Sequence, residues 1–199
     1  MYYSQELVSA TNHASTFLRS QLFKSSIKMR PIRWNSDFVH SENWKVIPIY
    51  LNYEWAKNEM RTFDHPLASM GIGIFTEWLN HNCQELYPNA LPFLDKFIAT
   101  NLVNYIGISI LPANTTLNEH VHYNIGNVKL HTAIYIPPAC GISCDSMIGR
   151  TRVHYWKNEN DHFFFDDNYS HYAWNHSSFD RYVLIVDFNS EMIIDLPGV

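Results

Sequence analysis

The sequence is short of several features on which whole classes of protein depend. It has only 3 cysteines, and charged residues make up 17% of its 199 residues. So few cysteines exclude a disulfide scaffold and favour a reducing compartment. It contains no block of lysine and arginine, and its net charge is −5. Both observations argue against binding to a nucleic-acid backbone as the main activity.

The sequence also lacks a Gly/Ser-rich linker, an internal repeat and any hydrophobic run long enough to span a bilayer. Its first residues, MYYSQELVSATNH, do not follow the basic-then-apolar order of a signal peptide. Hydrophobic and aromatic residues, in contrast, are abundant, at 46% and 15%. A chain of this length buries about two-thirds of its unfolded surface. We therefore expect one soluble, cytoplasmic domain over residues 1–199.

The spacing of apolar residues differs between the two halves of the chain. Residues 1–104 are predicted to be mostly helical, with a strand at 44–51 and helical spacing of apolar residues in 1–30, 68–79 and 90–102. From residue 105 onward the period falls to two, and turn residues separate strand-like stretches at 105–111, 128–136, 151–156, 162–165 and 182–188. This pattern predicts a mainly β fold, a double-stranded β-helix or jelly roll over 105–199, with N-terminal helices packed on it.

Histidine is distributed unevenly along the chain. Seven of the 11 histidines lie between residues 120 and 176: His120, His122, His131, His154, His162, His171 and His176. Arg181 opens the most apolar strand, where a buried guanidinium without a counter-anion costs free energy. Imidazoles from separate strands beside an inward-facing arginine suggest a metal with an anionic chelate next to it. Such a site suits non-haem Fe(II), which keeps open coordination positions.

These residues also resemble a known family. The stretch from Ser109 to Asp187 is similar to the aspartyl/asparaginyl β-hydroxylases, which are Fe(II)- and 2-oxoglutarate-dependent oxygenases. The resemblance rests, in order, on Ser109-Ile110-Leu111-Pro112, His120, Lys129-Leu130-His131, Ile136-Pro137, Trp156, Phe165-Asp166-Asp167-Asn168, His171-Tyr172-Ala173-Trp174-Asn175, Ser177-Ser178-Phe179, Arg181 and Ile185-Val186-Asp187. The first half of the chain is similar only in outline.

The resemblance implies a role for four of these positions. His120 and His171 would bind the iron. Arg181 would hold the distal carboxylate of 2-oxoglutarate, and Ser109 would add a hydroxyl hydrogen bond to the same group. The loop between Pro112 and the first iron-binding histidine is one residue longer than is usual in the family.

Three further positions belong to the candidate site, and two of them, Lys129 and His122, differ from the residues usual in the family. Lys129 and His131 would lie near the other end of the co-substrate, but the family usually has arginine where Lys129 stands, and lysine is a point charge rather than a planar fork. His122 follows the first iron-binding histidine by two residues, where β-hydroxylases often have a small residue and leave the coordination position to water. We interpret His122 as lining the pocket. The alternatives are that it is a third iron ligand or is structural.

Nearby acidic residues have structural interpretations. We expect Asp166 and Asp167 to fix the turn before the second iron-binding histidine, and one of them to orient an imidazole. Asp180 and Asp187 are alternative partners for Arg181, in an ordinary ion pair.

The activity that the resemblance implies is a dioxygenase reaction. Fe(II), 2-oxoglutarate and O2 would hydroxylate an unactivated C–H bond, with succinate and CO2 as co-products. We expect the substrate to be a small amino-acid-like molecule or a carrier-bound amino acid, with neither nucleic acid nor membrane as a partner. Three alternatives stay open: an iron and 2-oxoglutarate halogenase, a three-histidine oxygenase that does not use 2-oxoglutarate, and a non-catalytic relative that binds a small acid.

Overall fold

The computed structural model describes residues 2–22, 32–33, 44–57, 65–86, 91–121, 127–146 and 148–189. The helices in these ranges are α1 (Tyr2–Leu22), α2 (Tyr53–Ala56), α3 (Pro66–Met70), α4 (Ile72–Leu86), the 3₁₀ turn Leu91–Phe93 and α5 (Asp95–Ile98). None of these helices has the length and apolar character that crossing a membrane requires.

The predicted helix over 68–79 is two helices, α3 and α4, which meet at Gly71. Gly71 has φ 147°, a backbone conformation that side-chain-bearing residues rarely adopt, so the helix breaks there. Phe75 and Leu79 are buried as the apolar spacing predicts. The same apolar spacing also predicts that Ile74 is buried, and this prediction is wrong, since the side chain is 49% exposed.

Strands make up most of the second half of the chain. They are β1 (Ile32–Arg33), β2 (Lys45–Leu51), β3 (Val103–Leu111), β4 (Thr115–His120), β5 (Asn127–Tyr135), β6 (Cys140–Asp145), β7 (Thr151–Tyr155), β8 (His162–Asp166), β9 (His171–Asn175) and β10 (Arg181–Asn189). The periodicity predicts β3, β5, β7, β8 and β10 closely. It gives no boundaries for β4, β6 and β9, which are short and carry polar residues.

Two antiparallel sheets form a jelly roll. The larger sheet has the strand order β1-β2-β3-β10-β5-β8, and the smaller has the order β4-β9-β6-β7. Successive strands alternate between the sheets along much of the second half, so the two inner faces lie against each other. The prediction of a mainly β jelly roll with N-terminal helices is confirmed. The larger sheet also takes in β1 and β2 from the part of the chain that was predicted to be mostly helical.

Helix α1 packs on β5 at the side of the larger sheet that faces away from the smaller one. Ala14 and Leu18 are buried there. The hydroxyl of Ser15 donates to the carbonyl of Ala133 at 2.7 Å, and Nε of Arg19 donates to the carbonyl of Ile134 at 2.6 Å. These two bonds hold the helix against the C-terminal end of β5.

A β-bulge in β4 decides which of its side chains point inward. Leu117 pairs with Ala173 and His120 pairs with His171, so β4 uses three steps where β9 uses two. The extra residue leaves Asn118 and Glu119 both exposed and returns His120 to the inner face. The bulge thus accommodates the additional residue that the sequence carries before His120.

The turn before β6 holds Ala139 in a left-handed conformation, with φ 62°. A Cβ in this region costs about 1–2 kcal/mol, whereas the extra chain entropy of glycine costs about 0.5–1 kcal/mol. We therefore expect Ala139→Gly to raise the free energy of unfolding by about 0.5–1 kcal/mol, measured by urea denaturation. The matched control is Ala113→Gly, in a turn where φ is negative, which should lower it. If both variants lose stability, the strain argument is wrong.

Candidate metal and co-substrate site

Cross-strand register places four of the predicted site residues on the inner face of the larger sheet. On β10, Arg181 shares this face with Val183 and Ile185, because alternate residues of a strand point the same way. Ser109 pairs with Val183, and His131 pairs with Ile185. Lys129 precedes His131 by two residues on β5 and therefore has the same orientation. Three separate strands thus bring these side chains to one surface.

The smaller sheet supplies the two histidines. His120 and His171 are directly paired across β4 and β9, and their ring centroids are 4.2 Å apart. Both residues are buried. The two imidazoles face the larger sheet across the interior, opposite the arginine that the sequence assigns to co-substrate binding.

Backbone carbonyls fix the orientation of both imidazoles. Nδ1 of His120 lies 2.6 Å from the carbonyl of Asn118, and Nδ1 of His171 lies 2.9 Å from the carbonyl of Tyr169. A carbonyl oxygen can only accept, so each Nδ1 carries the proton and each Nε2 keeps its lone pair. Burial lowers the pKa of His171, which keeps its ring neutral. Carbonyl-anchored imidazoles with available Nε2 atoms are typical of metal ligands.

A cavity of about 40 Å³ separates the two sheets at this point. All of the described residues that were predicted to form the site line it: Ser109, His120, Lys129, His131, His171 and Arg181. The rest of the wall is apolar or aromatic and includes Trp44, Tyr105 and Phe165. The cavity therefore has a few polar groups in a largely water-excluding wall, as small-molecule sites do.

Arg181 is the most unusual group in the cavity wall. It is 1% exposed. Its Nη1 donates to the carbonyl of Gly141 at a long 3.4 Å, and its Nε has no hydrogen-bond partner among the described residues. Burial lowers the pKa of the guanidinium to about 10. A buried cation of this kind requires an anion to offset its desolvation.

The ordinary ion pair considered for Arg181 does not form. Asp187 pairs with Lys129, and Asp180 accepts a hydrogen bond from the backbone N–H of Ala113. No carboxylate of the described residues lies within ion-pair distance of Arg181. The guanidinium of Arg181 can therefore bind an anionic ligand.

His131 is a second buried polar group without a partner. Neither of its ring nitrogens has a hydrogen-bond partner among the described residues. Burial, together with the nearby positive charges of Arg181 and Lys129, holds the pKa of His131 well below its usual range. The ring packs edge-on against Phe165 at 4.9 Å between centroids. A neutral imidazole in this position can donate one hydrogen bond to an anionic ligand.

Lys129 is held by two buried carboxylates. Its Nζ lies 2.6 Å from Oδ2 of Asp187 and 3.1 Å from Oδ2 of Asp167. The other oxygen of Asp167, Oδ1, lies 3.2 Å from Nε2 of His171. Of the two aspartates expected to fix the turn, Asp166 does so by accepting from the N–H of Asn168, and Asp167 contacts the imidazole. The contact of Asp187 with Lys129 was not predicted. It depends on the register of β5 and β10, which the sequence pattern does not reveal.

Two aromatic side chains shape the end of the cavity near Ser109. Nε1 of Trp44 donates to the hydroxyl oxygen of Ser109 at 2.9 Å, which leaves the hydroxyl proton of Ser109 to be donated elsewhere. The ring of Tyr105 lies directly over Gly107, where a Cβ would come within 1.9 Å of the phenol oxygen. Glycine at 107 therefore gives the phenol its place in the cavity wall.

The described residues supply two imidazoles and a neighbouring carboxylate to a metal. Among these residues, no set of three or more His, Cys, Asp and Glu side chains has the arrangement of a complete metal site. The two Nε2 atoms nevertheless fit a metal that keeps several positions for water and co-substrate. His122 lies outside the described residues.

Comparison with known families agrees with this geometry. A sequence model of the family described as aspartyl/asparaginyl beta-hydroxylase matches residues 24–191, which is most of the chain and includes every predicted site residue. The chain belongs to the aspartyl/asparaginyl beta-hydroxylase family. Membership of this family makes the protein an enzyme of the oxygenase type. No curated protein matches its sequence significantly.

Three solved structures each resemble this chain over less than half of its length. A predicted oxalate decarboxylase from Thermotoga maritima has 22% identity and a TM-score of 0.34, over 47% of this chain and 73% of that one. A recombinant oxalate oxidase in complex with glycolate has 10% identity and a TM-score of 0.38, over 46% and 44%. A Cupin 2 conserved barrel domain protein from Salinispora arenicola CNS-205 has 11% identity and a TM-score of 0.31, over 45% and 66%.

Proposed function

We propose that this beta-hydroxylase uses Fe(II) and 2-oxoglutarate to hydroxylate an unactivated C–H bond with O2. The observation that carries the proposal is the buried Arg181, which has no carboxylate partner among the described residues and faces two carbonyl-anchored imidazoles across one cavity. Bound iron and 2-oxoglutarate would together supply the oxidising chemistry that an all-protein site lacks. The protein's own residues would bind and orient them.

Each end of the co-substrate has suitable partners. The Nε2 atoms of His120 and His171 would hold the iron. Arg181 would bind the distal carboxylate of 2-oxoglutarate through its guanidinium, with the hydroxyl of Ser109 donating to the same group. His131 would donate one hydrogen bond nearer the iron. The apolar wall would exclude water from the reacting groups.

Charge balance supports the same assignment. Arg181 and Lys129 contribute two buried positive charges, and Asp167 and Asp187 contribute two negative charges, so these four groups sum to zero. A divalent cation and a dianionic acid bound together would keep that sum, whereas either one alone would leave two uncompensated charges in a low-dielectric site. This favours a divalent metal combined with a dicarboxylate.

The substrate is proposed to be a small amino-acid-like molecule or an amino acid on a carrier. The cavity is narrow and largely apolar, which suits a side chain or small molecule better than an extended polymer. The net charge of −5 and the absence of a basic cluster do not suit a nucleic acid. We place the enzyme in the cytoplasm.

The test is to add Fe(II) and then 2-oxoglutarate under nitrogen and record the visible charge-transfer band of the chelate. We expect a band in the wild-type protein and its loss in His171→Ala, because one of two protein ligands is removed. The control is His162→Ala, an exposed histidine outside the cavity, which should leave the band unchanged. Iron binding without a band would exclude 2-oxoglutarate and favour the three-histidine alternative with His122.

A further inference from the structure

Beside the cavity lies a buried ion cluster to which the proposed function assigns no contact with iron or 2-oxoglutarate. We call Lys129, Asp167 and Asp187 the triad. Asp167 is 1% exposed, Asp187 is 0% exposed and Lys129 is 8% exposed. With contacts of 2.6 and 3.1 Å, two of the three N–H donors of the Lys129 ammonium are committed to carboxylates. The ammonium is therefore mostly engaged within the protein.

The triad connects the two sheets. Lys129 and Asp187 are paired directly across β5 and β10 of the larger sheet. Asp167 belongs to the turn that leads from β8 to β9, and its second oxygen contacts Nε2 of His171 on the smaller sheet. Polar contacts thus run from Asp187 through Lys129 to Asp167, whose Oδ1 lies 3.2 Å from Nε2 of a proposed iron-binding imidazole.

The triad lies at the far end of β10 from Arg181. Asp187 follows Arg181 by six positions, which corresponds to about 20 Å along the strand at 3.3 Å per residue. The ammonium of Lys129 is turned toward Asp187 rather than toward the guanidinium. This direction does not favour contact with a small acid whose distal carboxylate is held by Arg181.

The charge of the triad also favours a metal rather than an anion. One ammonium and two carboxylates leave a net charge of −1 in a buried position. A net negative charge in a buried position repels a second carboxylate and attracts a cation. The side of the triad that reaches His171 is where the cation would lie.

We propose that Lys129 is a positioning residue on the metal side of the site: held by Asp187, it fixes the Asp167 carboxylate beside Nε2 of His171. Lys129 is then not a ligand of the co-substrate, the role that the family resemblance implies for it. The inference rests on the proposed function, because it requires a metal at His120 and His171.

The test separates metal affinity from co-substrate affinity. Binding of Mn(II) alone is followed by loss of the free-ion electron paramagnetic resonance signal, and binding of 2-oxoglutarate to the Mn(II)-saturated protein by calorimetry. In Asp187→Asn we expect Mn(II) to bind about tenfold more weakly, because the amide anchors Lys129 less firmly and one negative charge is lost. The Kd of 2-oxoglutarate should stay within about threefold of the wild-type value.

The matched control is Ser109→Ala, on the co-substrate side, for which we expect the reverse: unchanged Mn(II) affinity and weaker 2-oxoglutarate binding. Should Asp187→Asn fail to fold, Asp187→Glu keeps the charge and lengthens the side chain by one methylene, which displaces the ammonium of Lys129. This variant should show the same separation to a smaller extent.

Two results would overturn the inference. The first is unchanged Mn(II) binding with weakened 2-oxoglutarate binding in either triad variant, which would return Lys129 to the co-substrate. The second is unchanged binding of both ligands. A wild-type protein that binds no Mn(II) would instead contradict the proposed function itself, so the two failures are distinguishable.

Discussion

Replacing Arg181 with methionine is expected to stabilise the ligand-free protein while nearly abolishing its binding of 2-oxoglutarate. Arg181 is 1% exposed and has one long hydrogen bond, so the folded protein carries the desolvation cost of a charge that no described carboxylate offsets. Methionine has a similar length and no charge. We expect the free energy of unfolding to rise by about 1–3 kcal/mol.

The same substitution removes the group proposed to bind the distal carboxylate. Truncating one partner of a buried charge pair costs about 3 kcal/mol, or about 100-fold in affinity. Urea denaturation without ligands and titration of the charge-transfer band with 2-oxoglutarate measure the two effects separately. Arg181→Lys should recover only part of the affinity, because the ammonium cannot form the bidentate contact.

The control for Arg181→Met is Arg152→Met. The Arg152 guanidinium lies over the ring of Phe163 at 4.8 Å and donates to the carbonyl of Phe164, outside the cavity lining. Its replacement should lower stability slightly and leave 2-oxoglutarate binding unchanged. A loss of stability in Arg181→Met would mean that the guanidinium is already compensated in the folded protein, contrary to the contacts described above.

The second large effect is expected at Asn175, where Asn175→Ala should lower the free energy of unfolding by about 4 kcal/mol. Asn175 is 0% exposed. Its amide nitrogen donates to the carbonyls of Leu111, Pro112 and Phe179, and its oxygen accepts from the backbone and hydroxyl of Ser177. Alanine would leave the carbonyls of Leu111 and Pro112 without this donor, and each buried unsatisfied group costs about 1–3 kcal/mol.

This asparagine ties the end of β3 to the turn between β9 and β10, and therefore joins the two sheets beside Arg181. Ser177→Ala is the matched control, because the carbonyl of Phe179 keeps its bond from Asn175. We expect it to cost about 1 kcal/mol. Thermal and urea denaturation of both variants provide the measurement, and equal losses would show that the asparagine amide has no special role.

Much of the fold could be predicted from hydrophobic period alone. Runs rich in Val, Ile, Tyr and Phe identify the longer strands β3, β5 and β10, in which almost every described residue is buried. The same reasoning fails for the helix over 68–79, where Gly71 breaks the backbone. It also fails for Ile74, because helical spacing does not reveal which turn of a helix has a neighbour packed against it.

The candidate site, too, could be predicted from the sequence only in part. Motif spacing singled out His120, His171, Arg181, Ser109 and His131, and the fold brings all of them to one cavity. The partners of Lys129 could not be predicted in this way. Asp187 and Asp167 are distant from Lys129 in the sequence, and only strand pairing and the β8–β9 turn bring them together.

By itself the sequence determined the fold class, the family and the residue types of the site, because these follow from local periodicity and from short motifs of fixed spacing. Only the tertiary structure decided which side chains face one another. The bulge at Asn118 and Glu119 turns His120 inward. The register of β10 places Asp187 opposite Lys129, the β8–β9 turn adds Asp167, and no described carboxylate reaches Arg181. Register and bulges are set by packing between distant segments, and no local pattern encodes that packing.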